Sequence, residues 1–307
     1  MNYKKVLVTG GSGFIGSHVA DVLEEQGYSV VLFDAVPSKY KTKFQEEIIG
    51  DILKPEDIEN AIEGCDVVYH FAAQADIGAF IDMPSKTITS NIIGTQNVLD
   101  MARKHKVKRF MFASTIYVYS ELGSFYRVSK QACEKIIEEY HKEFDLNYTI
   151  LRYGSLYGPR ANEFNFISNA LLQAINNKKI FRRGDGMENR EYIHVKDAAQ
   201  LSVNALDNKF RNKPLILTGQ QQIRVKDLLA MIKEIYDNKI EIEFGEEEDL
   251  HHYEITPYSY KPQMAKKITP DTYYDLGQGI MDLIYDLEIS MDNKSDSKII
   301  SLRKRKK

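Results

Sequence analysis

The chain has 307 residues, 43% of them hydrophobic and 28% charged, with a formal net charge of −3. This composition is typical of a soluble globular protein, and the small charge favours neither nucleic acid nor an anionic surface as a partner. No apolar run approaches the ~18 residues of a membrane span, and we expect no signal peptide because the first strand begins by Lys5. The two cysteines, Cys65 and Cys133, provide no disulfide framework and no metal site, which suits a reducing cytoplasm.

Residues 5–34 read KVLVTGGSGFIGSHVADVLEEQGYSVVLFD, which predicts a strand, a glycine-rich turn, a helix and a second strand ending in an acid. Gly10, Gly13 and Gly16 allow a tight turn, and the helix that follows presents N–H groups that favour a pyrophosphate. Asp34 stands where a carboxylate accepts hydrogen bonds from an adenosine ribose. No arginine follows it within six residues to pair a 2′-phosphate, so NAD is favoured over NADP. A loop that merely turns the chain is the alternative, which the ordered strand, helix and acid disfavour.

Apolar runs alternate with amphipathic helical patterns along the first half of the chain. Further strands are predicted at 46–50, 66–71, 108–114 and 146–152, and helices at 55–63, 84–105 and 126–144. This alternation predicts an α/β fold with a Rossmann-type, doubly wound parallel sheet. The pattern is looser after residue 154, where helices are predicted at 164–178, 196–207, 225–237 and 277–289, and short strands near 180–182, 214–218 and 240–243.

No proline- or glycine-rich linker separates the two halves, so we expect a smaller C-terminal region that is interleaved with the first. We predict a dinucleotide-binding domain over 1–154, to which 190–220 returns. A substrate-binding region is predicted over 155–189 and 221–290. From residue 291 the chain is polar and charged, and its last ten residues carry six basic side chains and no acid. We expect a disordered, solvated tail there rather than a membrane contact.

Ligands of an open α/β sheet lie above the carboxyl ends of its strands. The residues at those ends are therefore candidates for cofactor binding: Gly10, Gly13, Phe14, Ile15, Gly16, Asp34, Asp51, Ile52, Phe71, Ala72, Ala73, Ser114, Tyr153, Gly154 and Ser155. The small side chains of Ala72 and Ala73 let riboses lie close to the backbone, and Asp51 is placed to accept from an adenine amino group.

Thr115, Tyr126 and Lys130 form the second candidate constellation. Tyr126 and Lys130 are four residues apart on a predicted helix, so both side chains leave the same face. A tyrosine with its ordinary pKa near ~10 is a poor base at neutral pH. We expect the Lys130 ammonium and a positive nicotinamide to lower the Tyr126 pKa, and Thr115 to orient a substrate oxygen. A Y-x-x-x-K match is common by chance, but its position after the fifth strand of a dinucleotide fold favours catalysis.

Eight ordered motifs make the chain resemble the extended short-chain dehydrogenase/reductases, specifically the NAD-dependent nucleotide-sugar epimerase/dehydratase family. They are TGGSGFIGS, GDI (50–52), HFAA (70–73), NIIGT (91–95), AST (113–115), YRVSK (126–130), LRYGSLYGPR (151–160) and REYIHV (190–195). The resemblance implies NAD as cofactor, Tyr126 as catalytic acid/base, Lys130 on the nicotinamide ribose and Thr115 on the reacting sugar oxygen. It also implies that Asn91 supports Lys130 and that Arg190 contacts the substrate pyrophosphate.

The chain departs from the family's pattern at four positions. Ile116 and Tyr117 stand where sugar 4,6-dehydratases carry an Asp-Glu pair, and decarboxylating relatives have a glutamate where Tyr117 stands, so neither reaction is expected. Oxidation at C4 remains. The segment 116–125 is short, and such an open cover over the sugar favours release of a 4-keto product. We therefore expect a nucleotide-sugar 4-dehydrogenase for surface polysaccharide synthesis, with a 4-epimerase as the alternative. Ser120 replaces a usual glycine. Ser155, a candidate for substrate binding as well, replaces a usual asparagine.

Several expectations concern partners and rival functions. Lys261, in the aromatic-rich run 253–262, is a candidate for substrate binding, with a packed loop as the alternative. The helices at 84–105 and 126–144 resemble those that pair subunits in relatives, so we expect a homodimer or a tetramer. A catalytically silent NAD sensor or scaffold is the rival from another class, and it has no need of Tyr126 and Lys130. A reductase of small carbonyl compounds that uses NADP is the other rival, opposed by Asp34.

Overall fold

The fold is described from a computed structural model of the protein, which describes residues 3–75 and 83–245. The predicted helix at 277–289, Lys261 and the basic tail lie outside the described residues.

A parallel sheet of seven strands forms the centre of the described fold. Its strands are β1 (Lys5–Thr9), β2 (Ser29–Asp34), β3 (Glu46–Ile49), β4 (Val67–His70), β5 (Arg109–Thr115), β6 (Tyr148–Tyr153) and β10 (Lys213–Leu217), in the spatial order β10-β6-β5-β4-β1-β2-β3. The order runs outward from β1 in both directions, so the carboxyl ends of β1 and β4 meet at the switch point where ligands of such sheets bind. The predicted Rossmann-type sheet is confirmed.

Helices cover both faces of this sheet. They are α1 (Phe14–Glu25), α2 (Pro55–Ile62), α3 (Pro84–Ile88), α4 (Gly94–Lys104), α5 (Ser124–Phe144) and α7 (Val195–Asn204). Val6 and Val8 of β1 pack into a core with α1 and α7, whereas Leu7 between them packs into a second core with α2, α4 and α5. Successive strand residues point to opposite faces, and a strand covered on both faces is apolar throughout. The three central residues of the run KVLVT have this composition.

A smaller substructure follows β6. Its elements are β7 (Ser155–Tyr157), α6 (Phe166–Asn177), β8 (Lys179–Arg183), β9 (Asn189–His194), β11 (Gln222–Arg224), α8 (Val225–Ile235) and β12 (Glu241–Gly245). β9 pairs with β7 and β11, and β8 pairs with β12. α6, β8 and α8 enclose a third apolar core around Ala174, Ile180 and Leu229. In the segment 190–220, β10 joins the main sheet beside β6, whereas β9 lies in the three-stranded sheet.

The predicted helix at 84–105 is interrupted. A π-helical turn over Thr89–Ile93 separates α3 from α4. Asn91, at the centre of this turn, is buried and bonds to groups outside its own helix. A continuous α-helix was therefore the wrong prediction for this stretch, because side-chain contacts rather than helical periodicity determine the turn. The three-residue strands β7 and β11 were not predicted either.

Candidate active site

The glycine-rich turn brings the ends of β1 and β4 into close contact. Gly10 has a φ of +70°, and a Cβ atom there would lie 2.6 Å from the backbone nitrogen of Ala72. A Cβ atom on Gly16 would overlap the carbonyl oxygen of Gly10. Gly13 caps α1 without a side-chain hydrogen bond, so the first N–H groups of the helix have no protein side-chain cap. This cradle fits a pyrophosphate, which accepts hydrogen bonds from such groups.

A cavity of about 660 Å³ opens above this turn. The predicted cofactor-binding residues that line it are Gly10, Gly13, Phe14, Ile15, Gly16, Asp34, Asp51, Ile52, Phe71, Ala72, Ala73, Ser114, Tyr126, Lys130, Tyr153 and Gly154. Thr115 lines it too, whereas Asn91 and Ser155 do not. Sequence reasoning missed further residues of its wall, among them Gln74, Asn162, Phe164 and Asn165.

The two acidic residues of this cavity also serve the backbone. The Asp34 carboxylate accepts from the Ser12 N–H at 3.0 Å, which holds the end of β2 against the glycine-rich turn. Asp51 Oδ1 accepts from the Leu53 N–H at 2.9 Å. The sequence predicts that these carboxylates accept hydrogen bonds from a ribose and an adenine, and each already accepts one from the chain itself. A carboxylate accepts several hydrogen bonds, so each can still bind a ligand.

Thr115 ends β5, and Tyr126 and Lys130 leave one face of α5 toward it. Tyr126 and Thr115 line the same cavity, and Lys130 Nζ donates to the Ala113 carbonyl at 2.7 Å. Desolvation raises the pKa of Tyr126 to about 12, against the opposite effect of the Thr115 side chain. Desolvation also lowers the pKa of Lys130 to about 8.

Lys130 by itself does not lower the Tyr126 pKa. The lysine Nζ lies 5.9 Å from the centre of the tyrosine ring and donates to a backbone carbonyl. The loss of hydration around the phenol therefore outweighs any effect of the ammonium. A positive ligand beside the phenol would be needed to bring its pKa down.

A buried ion pair stands behind these residues and was missed from the sequence. Glu134, one helical turn after Lys130, pairs with Arg152 of β6 at 2.6 Å and 3.0 Å, a bidentate arrangement. The Ser114 hydroxyl donates to the same carboxylate at 2.6 Å, so it is engaged within the protein although Ser114 lines the cavity. Glu134 also acts to raise the Lys130 pKa, against desolvation. The signal in the sequence was an acid four residues after Lys130.

Asn91 holds two neighbours of the cavity in place. Its side chain accepts from the Gln74 N–H at 2.7 Å, and donates to the Gln74 carbonyl at 3.0 Å and to Ser129 Oγ at 2.9 Å. These bonds fix the chain after β4 and the residue that precedes Lys130. The implied support of Lys130 stays a prediction, since these bonds reach its neighbour Ser129 and not Lys130 itself.

A second cavity, of about 740 Å³, adjoins the first, since Leu156, Phe164 and Asn165 line both. Ser155 and Arg190 lie here, as do Tyr117 and three residues that the sequence reasoning did not single out: Arg182, Arg183 and Tyr192. Arg182 pairs with Glu188 at 2.5 Å. In the sequence, the signal for this wall was the pair of adjacent arginines, Arg182 and Arg183, directly before the turn GDG (184–186). A ligand that reaches from Tyr126 into this cavity meets a wall rich in arginine.

Residues 6–217 match the sequence model of the NAD dependent epimerase/dehydratase family. The chain belongs to this family. A provisionally named UDP-glucose 4-epimerase of Methanocaldococcus jannaschii is 30% identical over 249 residues, 74% of this chain and 81% of that protein. A UDP-N-acetyl-alpha-D-glucosaminuronate decarboxylase of Bacillus cytotoxicus is 28% identical, over 86% of this chain and 90% of that protein. The structure of a Thermotoga maritima UDP-glucose 4-epimerase with UDP-glucose has a TM-score of 0.77 and 27% identity, covering 83% of this chain and 90% of that chain.

This epimerase/dehydratase family member is an NAD-dependent enzyme, and the relatives named above carry the names of enzymes of UDP-sugars. Its own residues fit the cofactor: a cradle that side chains would fill, an uncapped helix start and a carboxylate at the end of β2. Within 3–75 and 83–245, no group of three or more His, Cys, Asp and Glu side chains could hold a metal ion. No helix of the described ranges has the length and apolar character needed to cross a membrane.

Proposed function

We propose that this enzyme is a nucleotide-sugar 4-epimerase, which oxidises C4 of a nucleotide-diphospho-sugar and then reduces it from the other face. The grouping of Thr115, Tyr126 and Lys130 in the wall of the first cavity carries the proposal. The second cavity adjoins the first and has room for the rest of the substrate. The epimerase names of two relatives favour this alternative over the 4-dehydrogenase that the sequence put first.

The residues of the chain have separate tasks in such a reaction. Thr115 Oγ1 already accepts from the Tyr117 N–H at 3.2 Å, so its own proton is available for the phenolate of Tyr126 or for the sugar oxygen. Tyr126 takes the proton of the C4 hydroxyl and later returns it. A bound NAD would supply the acceptor for the hydride of C4 and a positive charge that would lower the Tyr126 pKa. Lys130, held by the Ala113 carbonyl, is placed for the ribose beside Tyr126.

Sixteen cavity-lining residues from Gly10 to Gly154, named above, are proposed to bind NAD. Ser155 and Arg190 are proposed to bind the substrate diphosphate, since both line the second cavity. We also propose the domain division predicted from the sequence, a cytoplasmic location and pairing of subunits through α4 and α5. Size-exclusion chromatography with light scattering tests the last of these, and a monomer at micromolar concentration contradicts it.

Net oxidation to a 4-keto sugar is the second candidate. The segment between Thr115 and Tyr126 is ten residues long, and Leu122 within it is 37% exposed. Such a short cover favours release of a keto product. The two candidates differ in stoichiometry, because the dehydrogenase consumes one NAD per product and the epimerase consumes none.

Incubation with a panel of UDP-, dTDP- and GDP-sugars, followed by NMR of the sugar and absorbance of reduced cofactor, tests the proposal. Inverted stereochemistry at C4 without net cofactor reduction is expected. Tyr126→Phe keeps the ring and is expected to abolish conversion while retaining NAD binding. Stoichiometric reduced cofactor with a 4-keto product indicates the dehydrogenase instead. Conversion that persists in Tyr126→Phe contradicts both.

A further inference from the structure

Residues 156–165, here called the bridging segment, connect β7 with α6 and line both cavities. Leu156, Phe164 and Asn165 belong to both walls, and Asn162 belongs to the first. The segment is braced internally, because Asn165 Nδ2 donates to the Leu156 carbonyl at 2.7 Å. Its position therefore determines how closely the first cavity is covered at the junction.

Arg160, in the middle of this segment, joins it to two elements of the cofactor-binding half. Its Nη1 lies 2.8 Å from Asp21 Oδ2 on α1. Its guanidinium carbon lies 4.6 Å from the centre of the Tyr40 ring, in the connection between β2 and β3. The guanidinium thus combines an ion pair with a cation–π contact, two interactions that a planar arginine makes at once.

The backbone conformation at Arg160 also indicates that the surrounding contacts hold this residue in place. Arg160 has a φ of +67°, in the left-handed region that residues with a side chain rarely adopt. A conformation of this kind persists where the surrounding contacts hold it. One residue earlier, the Pro159 carbonyl accepts from Nε2 of the buried His18 at 3.0 Å, which adds a second bond to α1.

The elements that Arg160 joins are those proposed to hold the adenosine half of NAD. α1 begins at the glycine-rich turn, and the connection that carries Tyr40 follows directly on Asp34. Two residues after Arg160, Asn162 lies in the wall of the same cavity. The bridging segment cannot move away from the cavity without breaking the contacts of Arg160 or straining Ala161, the one residue between Arg160 and Asn162.

We propose that Arg160 is a positioning residue that holds the bridging segment over the cofactor cavity, so that NAD stays bound from one turnover to the next. The inference rests on the proposed function, because an enzyme that returns the hydride to the same sugar needs its reduced cofactor to remain in place. It deepens that function by assigning retention of the cofactor to one side chain outside the reacting groups.

The rate of NAD release tests this proposal without any sugar. The full-length protein is loaded with the fluorescent analogue 1,N6-etheno-NAD, and release is followed in stopped flow after addition of excess NAD. Arg160→Ala is expected to release the analogue about tenfold faster, the combined scale of a partly exposed ion pair and a cation–π contact. Arg160→Lys keeps the charge without the planar stack and is expected to lie between.

Salt and a matched control separate positioning from general destabilisation. Added NaCl is expected to speed release from the wild type more than from Arg160→Ala, since the ion pair is screened only where it exists. Arg103 also stacks on an aromatic ring, that of Phe144 at 4.4 Å, and lines neither cavity, so Arg103→Ala is expected to release at the wild-type rate.

Release from Arg160→Ala within twofold of the wild type, or an equal salt dependence of the two, overturns the proposal. Epimerisation by the wild type would persist in that case, so the proposed function would stand. If Arg160→Ala releases the analogue fast but the wild type converts no sugar, the proposed function alone is contradicted.

Discussion

Lys130 is predicted to make the free protein less stable at neutral pH than at alkaline pH. Burial lowers its pKa to about 8 from an ordinary 10.5. Below pH 8 both states carry the proton, and the folded state bears the full penalty of a buried ammonium. Between pH 8 and 10.5 only the unfolded chain keeps the proton, so the free energy of unfolding rises with pH. The difference in pKa corresponds to about 3 kcal/mol over that range.

Urea unfolding of the wild type and of Lys130→Met from pH 7 to 10 measures this effect. The methionine keeps the length of the side chain and cannot titrate, so the wild type should gain about 2–3 kcal/mol relative to the variant as pH rises. Work above pH 10 is avoided because Tyr126, whose pKa is raised to about 12, adds a change of opposite sign there. Lys104→Met, at a side chain 56% exposed, is the control and should show no such gain. Parallel curves for the wild type and Lys130→Met would refute the reasoning.

Three further predictions concern the cofactor cavity and the ion pair behind it. Gly16→Ala places a methyl group on the Gly10 carbonyl and should lower the free energy of unfolding by about 2 kcal/mol and weaken NAD binding in calorimetry; unchanged affinity contradicts the cradle. Asp34→Ser removes the charge that opposes a 2′-phosphate and should raise the ratio of NADP to NAD affinity about tenfold, and an unchanged ratio would place the ribose elsewhere. Glu134→Gln leaves the Arg152 guanidinium without its carboxylate and should lower the free energy of unfolding in urea by about 3 kcal/mol. Adding Arg152→Met should recover part of that free energy.

The seven-stranded sheet could be predicted because its signals are local and strong. The apolar runs that became β1, β2, β4, β5 and β6 are covered on both faces, so each reads as a strand without knowledge of its partners. The strands β7 and β11 have three residues each, too few for a period to be visible. The π-turn between α3 and α4 depends on hydrogen bonds from Asn91 to other parts of the chain. The helical periodicity of the sequence does not predict such bonds.

In the candidate site, too, the features that depend on local sequence could be predicted, and those that depend on distant contacts could not. The glycine spacing and the Tyr126–Lys130 interval are short-range patterns with a geometric meaning, and the residues they named line one cavity. The ion pair of Glu134 and Arg152 joins positions 18 apart on different elements, so its two halves look unrelated in the sequence. The lowering of the Tyr126 pKa by Lys130 together with a bound nicotinamide stays a prediction, and the spacing that led to it reports a neighbouring charge but not the loss of hydration that raises this pKa.

The π-turn over Thr89–Ile93 has a consequence for the outer surface of the molecule. In an unbroken α-helix, side chains five residues apart are separated by about 140° around the axis. The wider turn reduces that angle and brings Ile88 and Ile93, 41% and 44% exposed, toward one side. One inserted residue thus adds an apolar pair to the exterior while it aims Asn91 inward. Deleting a single residue from this turn would leave the two isoleucines four positions apart, about 40° from each other in an ordinary α-helix, and would remove the wider turn that aims Asn91 inward.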